Sequence, residues 1–522
     1  MAKLTKTTKT VLIAAGVLLA LGAALMALLL IKPAEQQPES ATDESSHAEE
    51  APAHAFTGKE SENVLSMTVE NSTGEFTFDR ESRVTSTADS EGNVSSETEY
   101  YWTSAQMMGL TPNASTIRAF VNNMAGLSAS AEVEQGAQDL EKYGLAQPLS
   151  KVSVSFDDGT VAVLCFGIQN PADTSSVYCR ADDSSDVYLV SYYSVGSAFY
   201  DIRSFVSMKK TESYSTDDPQ ELDYLIIERR DMEDAVEIRY MYDIAEAAED
   251  EDYIATTFNT HRFVSPITTE VDTTQGKTVC YGLYGLTMSS CVYLEKTDEA
   301  LAATGLDDPF ATVTFKYGGK RRVLSLGNEI VQVTQTEDEN TPALTTVTGY
   351  YAMLDDDGGI YSIAKASAPW YSFKLQNIMS RRPLSPYIYT VDSIDITTPD
   401  GEFTLKITGD ADEHSFTLNG EAVDDYKSRE LYQYLIGSVG EELYFEPVSG
   451  SPSYSIRFNY REEYKDTFGT LSDVIEFYDS DDRKSIVAVN GAVIFKVRDI
   501  YTQRLAENVL ALRDSGDIQL NW

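Results

Sequence analysis

Residues 143–148 read Tyr-Gly-Leu-Ala-Gln-Pro and are followed, over 152–167, by VSVSFDDGTVAVLCFG. Apolar residues alternate with Ser over 152–156, the period of a strand with one covered face. Asp157-Asp158-Gly159 supplies hairpin-turn chemistry, and a second strand is expected to end at Gly167. The same order recurs at Thr304-Gly305-Leu306-Asp307-Asp308-Pro309, followed over 311–327 by ATVTFKYGGKRRVLSLG. Upstream, MAGLSAS (124–130) pairs with LYGLTMS (283–289). Downstream, 186–206 and 359–379 each read as a strand followed by an amphipathic helix. The chain therefore carries an internal repeat. In each turn the Gly supplies a positive φ and the Pro removes a ladder donor, which starts a strand in one register. Gly144, Leu145, Pro148, Gly305, Leu306 and Pro309 are accordingly read as structural turn residues rather than ligand contacts.

A third, more divergent copy lacks that turn. Gly401-Glu402-Phe403-Thr404 echoes Gly74-Glu75-Phe76-Thr77, each within an opening hairpin. Residues 428–440 take the place of 115–127 as an apolar-periodic helix, with Asp424 or Ser428 as its cap, and 491–512 repeat the strand-to-helix ending. The expected fold class is α+β: tandem units of antiparallel sheet with packed helices, after one N-terminal transmembrane helix. The units are drawn at 61–212, 213–386 and 387–522.

The pattern Tyr-Gly-Leu-x-x-Pro, alternating strand, Asp-Gly turn, strand to Gly, then Val-Tyr-x-Val and a helix resembles the domain of unknown function 4340 family. The resemblance is good over about 64–211, fair over about 222–384 and thin beyond 388. It lies in folding residues and brings no catalytic motif with it. It implies a membrane-anchored protein associated with ABC transporter components, similar to the auxiliary proteins of gliding-motility transporters.

The N-terminus agrees with an anchor. Residues 11–31 (VLIAAGVLLALGAALMALLLI) carry no charge, and a 21-residue helix spans a hydrocarbon core of about 30 Å. Lys3, Lys6 and Lys9 precede it, which places 1–10 in the cytoplasm and the rest outside, on a single-pass cell-membrane protein. A cleaved signal peptide is the rival reading, although the apolar run exceeds the usual signal core. Residues 32–60, rich in Glu, Ser, Ala and Pro, read as a disordered acidic stalk in which His47 and His54 are solvated. Forty Lys and Arg face 83 Asp and Glu, a net charge of −43, which excludes nucleic acid as a partner. Hydrophobic residues at 42% exclude a wholly disordered chain.

No motif for chemistry emerges, and no catalytic, cofactor-binding or metal-ligating residue is assigned. His261 and His414 lie near no nucleophile elbow and are read as surface or hairpin residues. Cys165, Cys179, Cys280 and Cys291 form no Cys-x-x-Cys pair. Their distribution favours disulfides 165–179 and 280–291, with buried free thiols as the alternative. Asp355–Asp357 and Asp479–Asp482 do not follow the calcium-loop pattern and read as turns, and 246–252 as a solvated acidic insertion. The expected function is a non-enzymatic interaction or auxiliary subunit, with a tyrosine-faced glycan-binding module as the alternative and a carboxylate-dependent hydrolase after it.

Overall fold

The structure, a computed structural model, describes residues 54–88, 94–213, 222–244, 253–334, 343–409, 414–480 and 482–522. The expected cytoplasmic stretch, membrane segment 11–31, most of the stalk and the acidic run 246–252 lie outside the described residues. Among the described residues no helix is long and apolar enough to cross a membrane.

The fold is α+β, built on three antiparallel sheets. The N-terminal sheet has eight strands between Val64 and Ser191. Numbered along the chain, they lie in the order third, second, first, fifth, sixth, seventh, eighth, fourth. The middle sheet, Leu222 to Ala364, and the C-terminal sheet, Val391 to Arg498, have nine strands each. Both follow the order fourth, third, second, first, sixth, seventh, eighth, ninth, fifth. Without the short outer strands Thr269–Glu270 and Glu421–Ala422, the three orders coincide. The divergent third copy thus shares the architecture without the Gly-Leu-x-x-Pro turn. Its opening hairpin pairs Thr398 with Gly401, as Asn71 pairs with Gly74, and Phe403 and Phe76 are both buried.

Between the inner and last-placed edge strands each unit inserts a helix. In the N-terminal unit this is α1, Ala114–Ala125, started by the Asn113 side chain accepting from Thr116 N–H. Ile117, Phe120, Val121 and Met124 recur at helical spacing and are buried against the sheet. Each such side chain contributes about 1.5–3 kcal/mol by leaving water. In the C-terminal unit it is α2, Asp425–Leu435, and Asp424 rather than Ser428 is the cap, accepting from Lys427 N–H at 2.9 Å. The closing helix α3, Asp499–Arg513, buries Tyr501, Leu505, Val509 and Leu512.

The helices expected at the ends of the first two units are not continuous. Residues 192–205 break into short turns around Gly196, and 365–378 around Pro369. Glycine forfeits helix propensity, and the residue before a proline is pushed out of the helical region, so apolar spacing alone does not carry a helix through. Buried side chains of all three units join one contiguous core.

The turn residues act as a matched pair of devices. Gly144 caps the single turn Glu141–Tyr143 and Gly305 the short helix Asp298–Thr304, at φ 66° and 67°. The following Leu145 and Leu306 donate back five residues, to the carbonyls of Leu140 and Leu301, and their side chains are buried. Gly167 and Gly327 do not end their strands, as expected, but lie within strands Val161–Asn170 and Lys320–Thr334. The ladder shifts register beside each of them. The bulge lets the turn approach so closely that a Cβ on Gly167 would overlap the Tyr143 carbonyl, and one on Gly327 the Thr304 carbonyl.

Candidate functional site

Each unit receives the chain in the same way. Phe56 N–H donates to the Leu127 carbonyl and Ala129 N–H to His54, at 3.0 and 2.8 Å. In the middle unit Lys210 N–H donates to Leu286 and Met288 N–H to Met208, at 2.8 and 2.9 Å. Leu127, Ala129, Leu286 and Met288 belong to the paired MAGLSAS and LYGLTMS segments. In the C-terminal unit Gly440 N–H donates to Arg381 at 2.8 Å. The final residues assigned to the stalk are therefore part of the fold, a correction to the boundary at 60. His54 is stacked on Tyr188 at 4.3 Å and edge-on to Phe56, and it stays exposed.

The junction between the N-terminal and middle units is closed by charge. Lys210 Nζ meets Asp357 at 2.7 Å, with side-chain exposures of 3% and 9%. The other Asp357 oxygen accepts from Tyr361 Oη at 2.6 Å and Gly359 N–H at 2.9 Å. Lys210 Nζ also lies 3.8 Å from the centre of the Tyr361 ring. Burial lowers the Lys210 pKa while Asp357 opposes that shift; burial and the Asp357 hydrogen bond raise that of Tyr361. The rest of the acidic run is equally occupied: Asp356 binds Lys320 and Arg322 at 2.8 and 2.9 Å, and Asp355 accepts from Val323 N–H. Gly358 N–H reaches across to the Gly109 carbonyl at 2.9 Å. Residues 355–359 thus form a turn that ties two units together. Asp357→Ala is expected to cost about 3 kcal/mol, because it leaves a buried ammonium uncompensated. Denaturant unfolding of the variant beside the parent protein measures it.

The junction between the middle and C-terminal units carries a more deeply buried pair. Arg262 Nη2 lies 2.5 Å from Asp473 Oδ2, and their side chains are 2% and 0% exposed. Tyr460 Oη donates to the same oxygen at 2.7 Å, and Asn490 Nδ2 to the other at 2.8 Å. Phe468 stacks on Tyr460 at 3.8 Å and turns its ring toward the guanidinium, 5.7 Å away. Burial would raise the Asp473 pKa, but Arg262, Asn490 and Tyr460 together hold it below the usual carboxylate range. Beside this pair, burial pushes Glu270 up to about 7, against hydrogen bonds from Ser385 and Asn259 and the charge of Arg262.

All four cysteines are buried free thiols, so the expected disulfides are not formed. The register explains the first: Cys165 pairs with Arg180 and Phe166 with Cys179, so the two sulfur atoms leave the sheet on opposite faces. Cys165 donates to Asp182 at 3.4 Å, while Cys179 lies in the main core. Burial pushes the thiols of Cys165 and Cys291 up to about 11 and that of Cys280 up to about 12. Native protein is expected to resist an aromatic disulfide reagent and to release four thiols when denatured without reductant; fewer than four would restore the bridges.

Both histidines lie in hairpins, one of the two expected placements, but they are buried, which corrects the surface reading. His261 lies between the rings of Tyr240 and Tyr281 at 4.5 and 4.9 Å, and burial lowers its pKa to about 3. His414 opens a strand of the C-terminal sheet. Among the described residues, no group of three or more His, Cys, Asp or Glu side chains is disposed to hold a metal. An open cleft of about 430 Å³ lies over Asp392, Lys406, Tyr460, Arg461 and Glu462. Two of its three acids are engaged, Asp392 by Lys406 at 2.5 Å and Glu462 by Lys465 at 3.6 Å, and Glu463 is the third.

Residues 102–207 match the family model of a domain of unknown function, DUF4340. The matched stretch holds α1, the turn at Gly144 and the bulge at Gly167. No curated protein and no solved structure matches the chain. The junction residues Lys210, Arg262, Glu270 and Asp473 are absent from the sequence reading. A charged residue in an alternating strand is a signal, but the partner of Arg262 lies 211 positions away.

Proposed function

We propose that this chain works by contact, as a non-enzymatic, membrane-anchored extracytoplasmic subunit of an ABC transporter or another envelope complex. The observation that carries the reading is how its charged clusters are used. Lys210 with Asp357, and Arg262 with Asp473, are spent on buried ties between successive units, which holds three sheets as one interaction surface. The match of 102–207 to DUF4340 supports the same reading, through the transporter association that the resemblance implies. A net charge of −43 adds long-range attraction for basic partners and repulsion of acidic ones. Cross-linking in native membranes followed by mass spectrometry tests it. A permease or ATPase recovered with the chain is the expected result, and recovery of the chain alone overturns it.

Exposed aromatic rings favour one second reading. Phe258, Tyr426 and Tyr193 are 58%, 71% and 93% exposed, faces on which a sugar ring can stack. Retardation in a gel containing wall polysaccharide would support glycan binding, and unchanged mobility would remove it.

A further inference from the structure

Glu270 lies where the chain leaves the middle unit for the C-terminal one. It is fully buried on the outer strand Thr269–Glu270, opposite Arg262 in the ladder. The connecting segment is laid over it by backbone bonds: Ser380 N–H donates to the Glu270 carbonyl, Phe258 N–H to Ser385 and Tyr387 N–H to Thr256, at 2.8–2.9 Å. The Glu270 carboxyl then closes on the same segment. It accepts from Ser385 N–H, from Ser385 Oγ at 2.7 Å, and from Asn259 Nδ2 at 2.5 Å. Asn259 Nδ2 also reaches Ser380 Oγ at 3.3 Å.

We infer that Glu270 is a proton-operated clasp, which holds the connection between the middle and C-terminal units closed when protonated and loosens it when ionised. Charge balance is the reason. Arg262 faces Glu270 from the adjacent strand, but its Nη2 is taken by Asp473, which also holds Tyr460, and its buried Nε and Nη1 make no hydrogen bond to Glu270. On the connection itself, Arg381 is exposed and Arg382 lies over the Phe258 ring at 4.7 Å. Ionising Glu270 therefore places a second carboxylate beside one guanidinium in a buried site. The protonated carboxyl keeps its contacts, because its O–H can donate to Ser385 Oγ.

The neighbours hold their charge while Glu270 changes. Burial holds His261 neutral down to about 3, Asp473 lies below the carboxylate range, and Tyr460 lies well above 10. Glu270 is raised from 4.5 to about 7. An acid whose pKa rises on folding favours the closed state below its unfolded pKa, and that contribution is lost as pH climbs through the folded value.

Hydrogen exchange on the full chain tests this, with protection corrected for intrinsic exchange. Between about pH 5.5 and about pH 8.5, protection of 256–258 and 380–387 is expected to fall about tenfold or more. In Glu270→Gln it is expected to change less than about twofold over the same range. Equal protection at both pH values in the parent protein overturns the clasp, as does a loss spread evenly over all three sheets. These two comparisons need no variant, so a Glu270→Gln chain that does not fold leaves them decisive. A folded variant that follows the parent protein also overturns it.

Discussion

Arg262→Met is expected to lower the stability of the folded chain by about 3–5 kcal/mol. Asp473 is fully buried, and its two oxygens are arranged for a guanidinium, a tyrosine hydroxyl and an amide. Removing Arg262 leaves a carboxylate with neutral donors and no countercharge, where desolvation dominates. Equilibrium urea unfolding, followed by the tryptophan and tyrosine signals, measures the loss. The double variant Arg262→Met with Asp473→Leu separates charge from packing: it is expected to recover most of the loss, because apolar groups of similar volume are often neutral replacements for a buried pair. A single variant with the parent midpoint would show that the junction does not depend on the ion pair. Lost packing is the alternative cause, and a double variant as unstable as the single one would identify it.

The second large effect is expected from Gly167→Ala, at about 3 kcal/mol. The added methyl would overlap the Tyr143 carbonyl and crowd Gly144 and Leu145, so backbone rather than a flexible side chain must give way. Gly159→Ala is the comparison. At φ 82° it is strained, but nothing lies within 4 Å of its Cβ, so about 1 kcal/mol is expected from conformation alone. Thermal or urea unfolding of both variants decides the matter. Equal losses would mean that the turn-to-bulge approach carries no special constraint. A large loss at Gly167 is expected to recur in Gly327→Ala, which meets the Thr304 carbonyl in the same way.

Much of the fold was legible because its signals are local. Alternation over 152–156 reports which side chains turn inward, and Val152, Val154 and Phe156 are all buried. The Gly-Leu turns follow from the conformational freedom of glycine, and the α2 cap from a short polar side chain at the helix start. Failures came where a local signal had two outcomes. Apolar spacing after Val187 and Ile360 is shared by continuous helices and strings of single turns, and Gly196 and Pro369 select the latter. Two cysteines on neighbouring strands suit a disulfide only when they share a face, which one residue of register denies to Cys165 and Cys179.

By itself the sequence determined the strand-and-turn grammar of each unit, the repeat and the acidic charge, because these depend on residues a few positions apart or on composition alone. Tertiary structure decided what the charged residues do. Lys210 finds Asp357 across 147 positions and Arg262 finds Asp473 across 211. Nothing local to either member of a pair encodes the other. Burial then turns these contacts from surface pairs worth little into ties whose rupture leaves a charge without water, and it places Glu270 where one proton changes the charge of a junction.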